Sequence, residues 1–369
     1  MNWHHISKQP PKDTWEVLVT ILSRDGKRRV EYARYRPGGE DGVEYADPSF
    51  SEESGWYDVC NDGDQITHWA NMPEPKKLSI LHIALGGPEF DRAAFDRGHD
   101  VYRIDWRKMP DPNKEILQCI KRQSFDLVFA QIQTAKVIYH ETWDALRASG
   151  AFVIHWSGDV RDDIGWFLDA APHVDITAFT NMDDVNAIRA TGNRAEYLQI
   201  GYDEKIYTYA EKERSGVVFL GNDYGDRFPL SEARAEMVER MKAEFGDQFK
   251  AYGNRQDNKA TTPAQEVAIY QSALVAINYD HFNRPLFASD RILRAQACGA
   301  AVVSMAYEGI NDEHPYVGAA ESLDDMVKMV RFALDNPERA AALGKMGADH
   351  TLSMHRWNNR FETIEQWTS

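Results

Sequence analysis

From Leu78 onward, short apolar runs that read as strands alternate with helical patterns, and the alternation occurs twice along the chain. Few folds accommodate that order, because strand, helix and strand in succession pack as a parallel pair with the helix across one face. In the first series Leu78 to Leu85, His99 to Asp105, Phe125 to Gln131, Ala151 to Trp156 and Asp175 to Thr180 read as strands, with Lys114 to Arg122 a helix between them. The second opens near Ser215, with strands at Gly216 to Leu220, Phe249 to Tyr252, Val275 to Asn278 and Ala301 to Ser304. The expected architecture is α/β, two facing Rossmann-like, doubly wound halves. Beyond Glu321 the tail is helical, with Leu323, Met326, Val327, Val330 and Leu334 at helix spacing; Trp357, Phe361 and Trp367 read as core anchors on a last helix.

Residues 1–76 follow a different rule. Trp15 to Leu22, Arg28 to Arg36 and Gln65 to Trp69 read as strands separated by turns such as Pro37-Gly-Gly39 and Asn61-Asp-Gly63, a small mainly-β module closed by the linker Met72-Pro-Glu-Pro-Lys-Lys77. The chain of 369 residues is long enough for two core-forming domains beyond it. No apolar run is long enough to cross a bilayer and the first residues lack a signal-peptide pattern, so the expected location is the cytoplasm. Cys60, Cys119 and Cys298 form no metal-ligand or disulfide pattern and read as reduced, buried thiols. The net charge of −16 argues against a broad, nonspecific nucleic-acid footprint, although a local basic groove remains compatible with it.

The densest chemical signal is Phe287 to Ser304, which reads as a helix with Ser289 at the N-cap, Asp290 in the first turn and Gly299 as the stop before a strand. Free N–H groups at such an amino end attract anions, and Arg291 lies within a turn of it as a phosphate clamp. Arg294 falls three residues later, either beside Arg291 toward phosphate or in a surface ion pair. Gly86-Gly87, after the first strand, lack the rest of a dinucleotide fingerprint and are explained equally by a tight turn.

Val217-Val-Phe-Leu-Gly-Asn222 with Arg227, then Tyr252-Gly-Asn254, Ser289-x-Arg291 and Ala297-Cys-Gly299, resemble the C-terminal half of spore-maturation-type glycosyltransferases of the two-Rossmann GT-B fold. The resemblance runs from about Leu78 to the end. It implies an acceptor domain at 77–210, a donor domain at 211–369, and transfer of a sugar from a nucleotide diphosphate, a UDP-sugar first and a GDP-sugar second. It further implies retention of configuration, no required metal, and donor contacts from Gly221, Asn222, Arg227, Gly253, Asn254, Ser289, Asp290 and Arg291. Where relatives commonly place a Glu for the donor ribose, this chain has Arg294. Asp62-Gly-Asp64 is read as turn chemistry and not as a metal motif.

For the acceptor, His155-Trp-Ser-Gly-Asp-Val-Arg161 follows the fourth strand, at the edge where parallel sheets place ligands. Asp159 is the first candidate to deprotonate an acceptor hydroxyl and His155 the second, with Gly86, Gly87, Trp156 and Arg161 around them. Asp159 as a loop cap and His155 as a core histidine are the competing readings. The first 76 residues, with Trp3-x-x-Ile6-Ser7 and Ile66-Thr-His-Trp69, resemble a small module common in bacteriophage proteins. That resemblance suggests hydroxymethylated pyrimidines in viral DNA as acceptor, 5-hydroxymethylcytosine first, with Tyr32, Arg34 and Arg36 on one strand face as nucleic-acid contacts or as charges protecting an edge strand. A glycan or protein acceptor is the alternative, and a non-catalytic sugar-nucleotide binder the alternative of another class.

Overall fold

The computed structural model describes residues 76–368 apart from Thr261, together with the backbone of five strands within residues 1–75. The chain divides into two units, Met1–Lys76 and Lys77–Ser369. In the first, β1 (His4–His5), β2 (Glu16–Leu22), β3 (Arg28–Tyr35), β4 (Trp56–Tyr57) and β5 (Gln65–Asn71) form one sheet in the order β1-β5-β2-β3-β4. Every pair in it is antiparallel, and a register shift between Thr20 and Ile21 interrupts the β2–β5 ladder. The side chains of Tyr32 and Arg34, and Arg36, Cys60 and Asp62-Gly-Asp64 altogether, lie outside the described residues.

The second unit begins with β6 (Ser79–Ala84), α1 (Glu89–Asp96), β7 (Asp100–Asp105), α2 (Pro112–Arg122), β8 (Leu127–Gln131), α3 (His140–Ala148), β9 (Phe152–Ser157), α4 (Gly165–Ala170), β10 (Ile176–Phe179), α5 (Met182–Arg189) and β11 (Ala195–Tyr197). These six strands form a parallel sheet ordered β11-β10-β9-β8-β6-β7. A second run follows: β12 (Ser215–Leu220), α6 (Ser231–Phe245), β13 (Phe249–Tyr252), α7 (Pro263–Ser272), β14 (Ala273–Asn278), α8 (Asp290–Ala297), β15 (Ala301–Met305), α9 (Ile310–Glu313), β16 (Val317–Ala320), α10 (Leu323–Asp335), α11 (Pro337–Met354) and α12 (Trp357–Thr368). Its five strands are also parallel, in the order β13-β12-β14-β15-β16.

Both orders reverse once, between β6 and β8 and between β12 and β14. A crevice opens at the carboxyl ends of such strands, because the connections on either side leave toward opposite faces. The alternating strands and helices give two doubly wound halves, and the fold is GT-B, as the resemblance implies.

Local chemistry sets the helix ends. Asp111 caps α2 by accepting from Lys114 N with Pro112 next to it, and Thr262 with Gln265 forms a capping box on α7. Helix α8 stops as expected: Gly299 has φ +86°, its N–H donates to Gln296 O at 2.7 Å, and Ala300 N donates to Ala295 O at 3.1 Å, a Schellman motif. Ser289 occupies the N-cap position, but its hydroxyl donates to Asn278 Oδ1 at 3.0 Å and does not cap the helix.

Each of the two parallel sheets carries apolar layers on both faces. Those of the second are built around Val217, Phe219 and Ile277 on one side and Ile292, Leu293 and Val302 on the other. The last helix crosses back: Trp357, Phe361 and Ile364 are buried with Leu78, Phe90 and Phe129 of the first half, and Trp367 packs at their edge. Cys119 and Cys298 are free, buried thiols.

Candidate functional site

At the β12/β14 reversal lies a cavity lined by Gly221, Asn222, Arg234, Tyr252, Gly253, Glu266, His281, Asp290, Arg291 and Arg294. The missing side chains at Gly221 and Gly253 make room for it. A Cβ on Gly253 would fall 2.3 Å from Gly221 O, and one on Gly221 would fall 1.9 Å from an Arg234 guanidinium nitrogen. Asn222 and Asn254 tie the two loops together, since Asn254 N donates to Asn222 Oδ1 (3.0 Å) and Asp223 N to Asn254 Oδ1 (2.6 Å). Asn222 also lines the cavity, whereas Asn254 acts on it only by holding the loop.

Arg234 is the residue that the sequence reading missed. It lies on α6 with only 4% of its surface exposed, its guanidinium sits 4.9 Å from the Phe219 ring centroid, and neither terminal nitrogen has a hydrogen-bond partner among the described residues. Burial and then repulsion from Arg291 push its pKa down to about 9, so it remains a cation at neutral pH. A buried, unpaired cation is costly unless a counter-ion arrives, and the cavity is where one would sit. The sequence does carry a signal for it: Arg234 shares the helical stripe of Met237, Val238, Met241 and Phe245, a charge on a buried face.

The other arginines have partners. Arg291 lines the cavity and is braced by Asp280 (2.5 Å) and Asn278 Oδ1 (3.1 Å). Arg294 is pinned between Asp290 (2.8 Å) and Glu266 (3.2 Å), over the Tyr207 ring. Burial lowers its pKa, but Asp290, Tyr207 and Glu266 together hold it above the ordinary range. Of its two sequence readings, the ion pair is the one present, half-buried and at the cavity wall. Arg227 is exposed over the Phe228 ring and is not among the cavity's lining residues. His281 is held neutral, its pKa pushed down to about 4 by burial and then by Arg234 and Arg291.

A second cavity opens between the two halves at the β6/β8 reversal, and it shares Asp290 and Arg294 with the first. Gly86, Gly87, Gln131, Gln133 and Trp156 line its other side, with Glu89 and Asp203 as carboxylates. Asp203 is buried and paired with Arg92. Gly87 lies against the Glu89 carboxylate, which would have to swing aside for a Cβ at this position. Behind the wall, the half-buried Arg103 and the buried Asp91 and His82 form a chain, with Asp91 Oδ1 2.5 Å from His82 Nδ1 and His82 Nε2 3.1 Å from Gln131 Oε1. Leu85 N also donates to that oxygen, which leaves the Gln131 amide NH2 as the group for the cleft. Burial raises the Asp91 pKa, yet His82 and then Arg103 hold it below the usual carboxylate range.

The acceptor-side residues do not converge as the sequence suggested. Trp156 lines the cleft while its Nε1 donates to Leu198 O at 2.8 Å. His155, its neighbour on β9, faces the other side of the sheet, 1% exposed, because successive strand residues alternate. It therefore cannot reach an acceptor in the cleft, and the catalytic reading of His155 is corrected to a buried imidazole in a separate cavity. Asp159 is half-exposed and paired with Arg161 at 2.6 Å, and it does not line the cleft. Arg161 approaches the cleft through Gln133 Oε1, at 3.2 Å.

This architecture, two parallel sheets with a polar cavity at each strand reversal, defines the class: a protein of the GT-B fold. Residues 234–366 match the glycosyl transferase-like family. Among solved structures the chain is similar to HepE from Anabaena in complex with UDP and glucose, with 11% identity, a TM-score of 0.55, and coverage of 78% of this chain and 90% of that one. It is likewise similar to sucrose-phosphate synthase from Thermosynechococcus elongatus, with 13% identity, a TM-score of 0.50, and coverage of 79% and 95%. TarM shows 10% identity and a TM-score of 0.52 over 70% of this chain and 58% of that one. No curated protein matches the sequence. The family match and the fold together support a glycosyltransferase. No helix among the described residues is long and apolar enough to cross a membrane.

Proposed function

We propose that the protein transfers a sugar from a nucleoside-diphosphate donor, a UDP-sugar first and a GDP-sugar second, to a hydroxyl held in the cleft between the two halves. The observation that carries this reading is Arg234, an unpaired buried guanidinium lining the same cavity as Arg291 and the first turn of α8. The diphosphate sits against those three, and the charge that develops as it leaves is stabilised by groups already in place. The two arginines supply positive charge without a metal, so transfer proceeds in EDTA. The HepE structure holding UDP and glucose supports a UDP donor.

The acceptor lies at the Gln131, Gln133 and Glu89 side, where amides and a carboxylate can bind hydroxyl groups. Transfer retains the anomeric configuration, with the departing phosphate accepting the proton of the attacking hydroxyl. Because Asp159 does not line the cleft, that route has the support of the geometry over a base at Asp159. The acceptor we put first is 5-hydroxymethylcytosine in phage DNA, acted on in the host cytoplasm; the resemblance of the first 76 residues to a phage module supports it. A glycan acceptor is the second reading, favoured by the carboxylates Glu89 and Asp203 in the cleft, which suit a neutral polyol better than a phosphate backbone.

The test is mass spectrometry of nucleosides from hydroxymethylated DNA, and of oligosaccharides, after incubation with UDP- and GDP-sugars. A sugar mass gain on DNA that is lost in Arg234→Met establishes the first reading, and a gain confined to oligosaccharides establishes the second. Absence of both transfer and donor hydrolysis overturns the enzymatic one.

A further inference from the structure

Behind β9, on the face of the first sheet opposite the cleft, lies a cavity of about 400 Å³ lined by Ile132, Trp143, His155 and Trp166 among others. It is separate from the site described above. From the last residue of β8 onward, Gln131 and Gln133 line the cleft while Ile132 and Thr134 line this cavity, so one stretch of chain is the wall between the two. Its volume falls within the range of sites that enclose a small molecule.

His155 defines its polarity. The Nε2 atom lies 3.1 Å from Ile132 O, and a carbonyl can only accept, so Nε2 carries the proton. The ring is neutral, its pKa pushed down to about 4 by burial against a smaller opposing effect of the Ile132 carbonyl. Nδ1 is therefore a lone-pair acceptor, and this buried atom has no partner among the described residues. Around it stand aromatic rings, with Trp143 at 5.1 Å and Trp166 at 5.6 Å from the imidazole centroid. A buried acceptor without a donor is unfavourable by roughly 1–3 kcal/mol, which a ligand N–H or O–H would relieve.

The wall also says what is excluded. Glu141 and Asp169 stand beside one lysine, Lys136, so positive charge is not concentrated there as phosphate recognition needs. Lys136, in the loop along this side, has φ +61°, in the left-handed region.

We propose that this cavity binds a neutral aromatic group bearing an N–H or O–H donor, with His155 Nδ1 as its acceptor and the two tryptophans as its walls. The assignment does not rest on sugar transfer. Calorimetric titration of the full chain with indole and with 1-methylindole, which lacks the N–H, tests it at pH 7. Indole binds, 1-methylindole binds about fivefold more weakly, the loss of one neutral hydrogen bond, and His155→Phe abolishes that preference. Equal affinities, failure of both probes to bind, or a preference for indole that survives in His155→Phe would each overturn the proposal. Should the variant not fold, the pair of probes on the unmodified protein decides alone.

Discussion

Arg234 shows how a single side chain can be expensive to the fold and useful to the site. Its guanidinium is buried over Phe219 and its terminal nitrogens have no hydrogen-bond partner among the described residues, whereas Arg291 is braced by Asp280 and Arg294 by Asp290 and Glu266. Gly221 belongs to the same device, because a Cβ there would collide with the Arg234 nitrogen. Gly221→Ala is therefore expected to weaken UDP binding at least tenfold without altering any charge, measured by calorimetry on a variant whose circular dichroism is unchanged. The motif glycines and Asn222 were legible in the sequence, since glycine marks where backbones approach. Arg234 was not singled out, because a helix of mixed charges reads as solvated unless its buried stripe is traced residue by residue. His155 illustrates the converse: its position at a strand end was read correctly, but strand alternation sends it away from the cleft that Trp156 lines.

Among the elements, strands were legible wherever apolar residues ran for four or more positions, as in β8, β12 and β14. The short polar β11, Ala195–Tyr197, and the Gly- and Ala-containing β16, Val317–Ala320, were not read, because neither has the side chains that mark a strand; pairing with a neighbour makes them strands. The α8–β15 joint was read down to its glycine. Gly299 combines a positive φ of +86° with a Cβ position 2.5 Å from the Arg214 guanidinium. Gly299→Ala should thus destabilise the protein by about 1–2 kcal/mol, lowering the melting temperature by a few degrees; an unchanged melting temperature would show that the joint relaxes freely.

At the scale of the whole second unit, the two halves are joined by α12, which returns to complete the core of the first. Ending the chain after Arg356 would remove Trp357, Phe361 and Ile364 from that core, and the expected outcome is loss of cooperative unfolding in calorimetry. Stability should also fall in acid. His155 and His355 are held neutral, with pKa values pushed down to about 4 and about 3 chiefly by burial, so below the ordinary value of about 6.5 the unfolded chain binds more protons than the folded one. Each such histidine costs up to about 1.4 kcal/mol per pH unit between about 6.5 and its folded value. Asp91 and Glu365 are held below the carboxylate range, against burial, by His82 and Arg103 and by Arg97 and His99, respectively. Their contribution stands above about pH 4 and is lost as pH falls further. Melting temperatures at pH 7, 5.5 and 4.5 should decrease in that order; a flat profile would contradict the neutral-histidine assignment.

The central claim is that the cavity at the β12/β14 reversal is a diphosphate site completed by Arg234, and the most direct measurement is the dissociation constant of UDP for the unmodified protein and for Arg234→Met. Methionine keeps the apolar stem and removes the charge together with its N–H donors, so the account predicts binding by the native chain and a loss of ten- to a hundredfold in the variant, the scale of charge-assisted hydrogen bonds. Equal affinity in a folded Arg234→Met variant, or no UDP binding by the native protein, would contradict it.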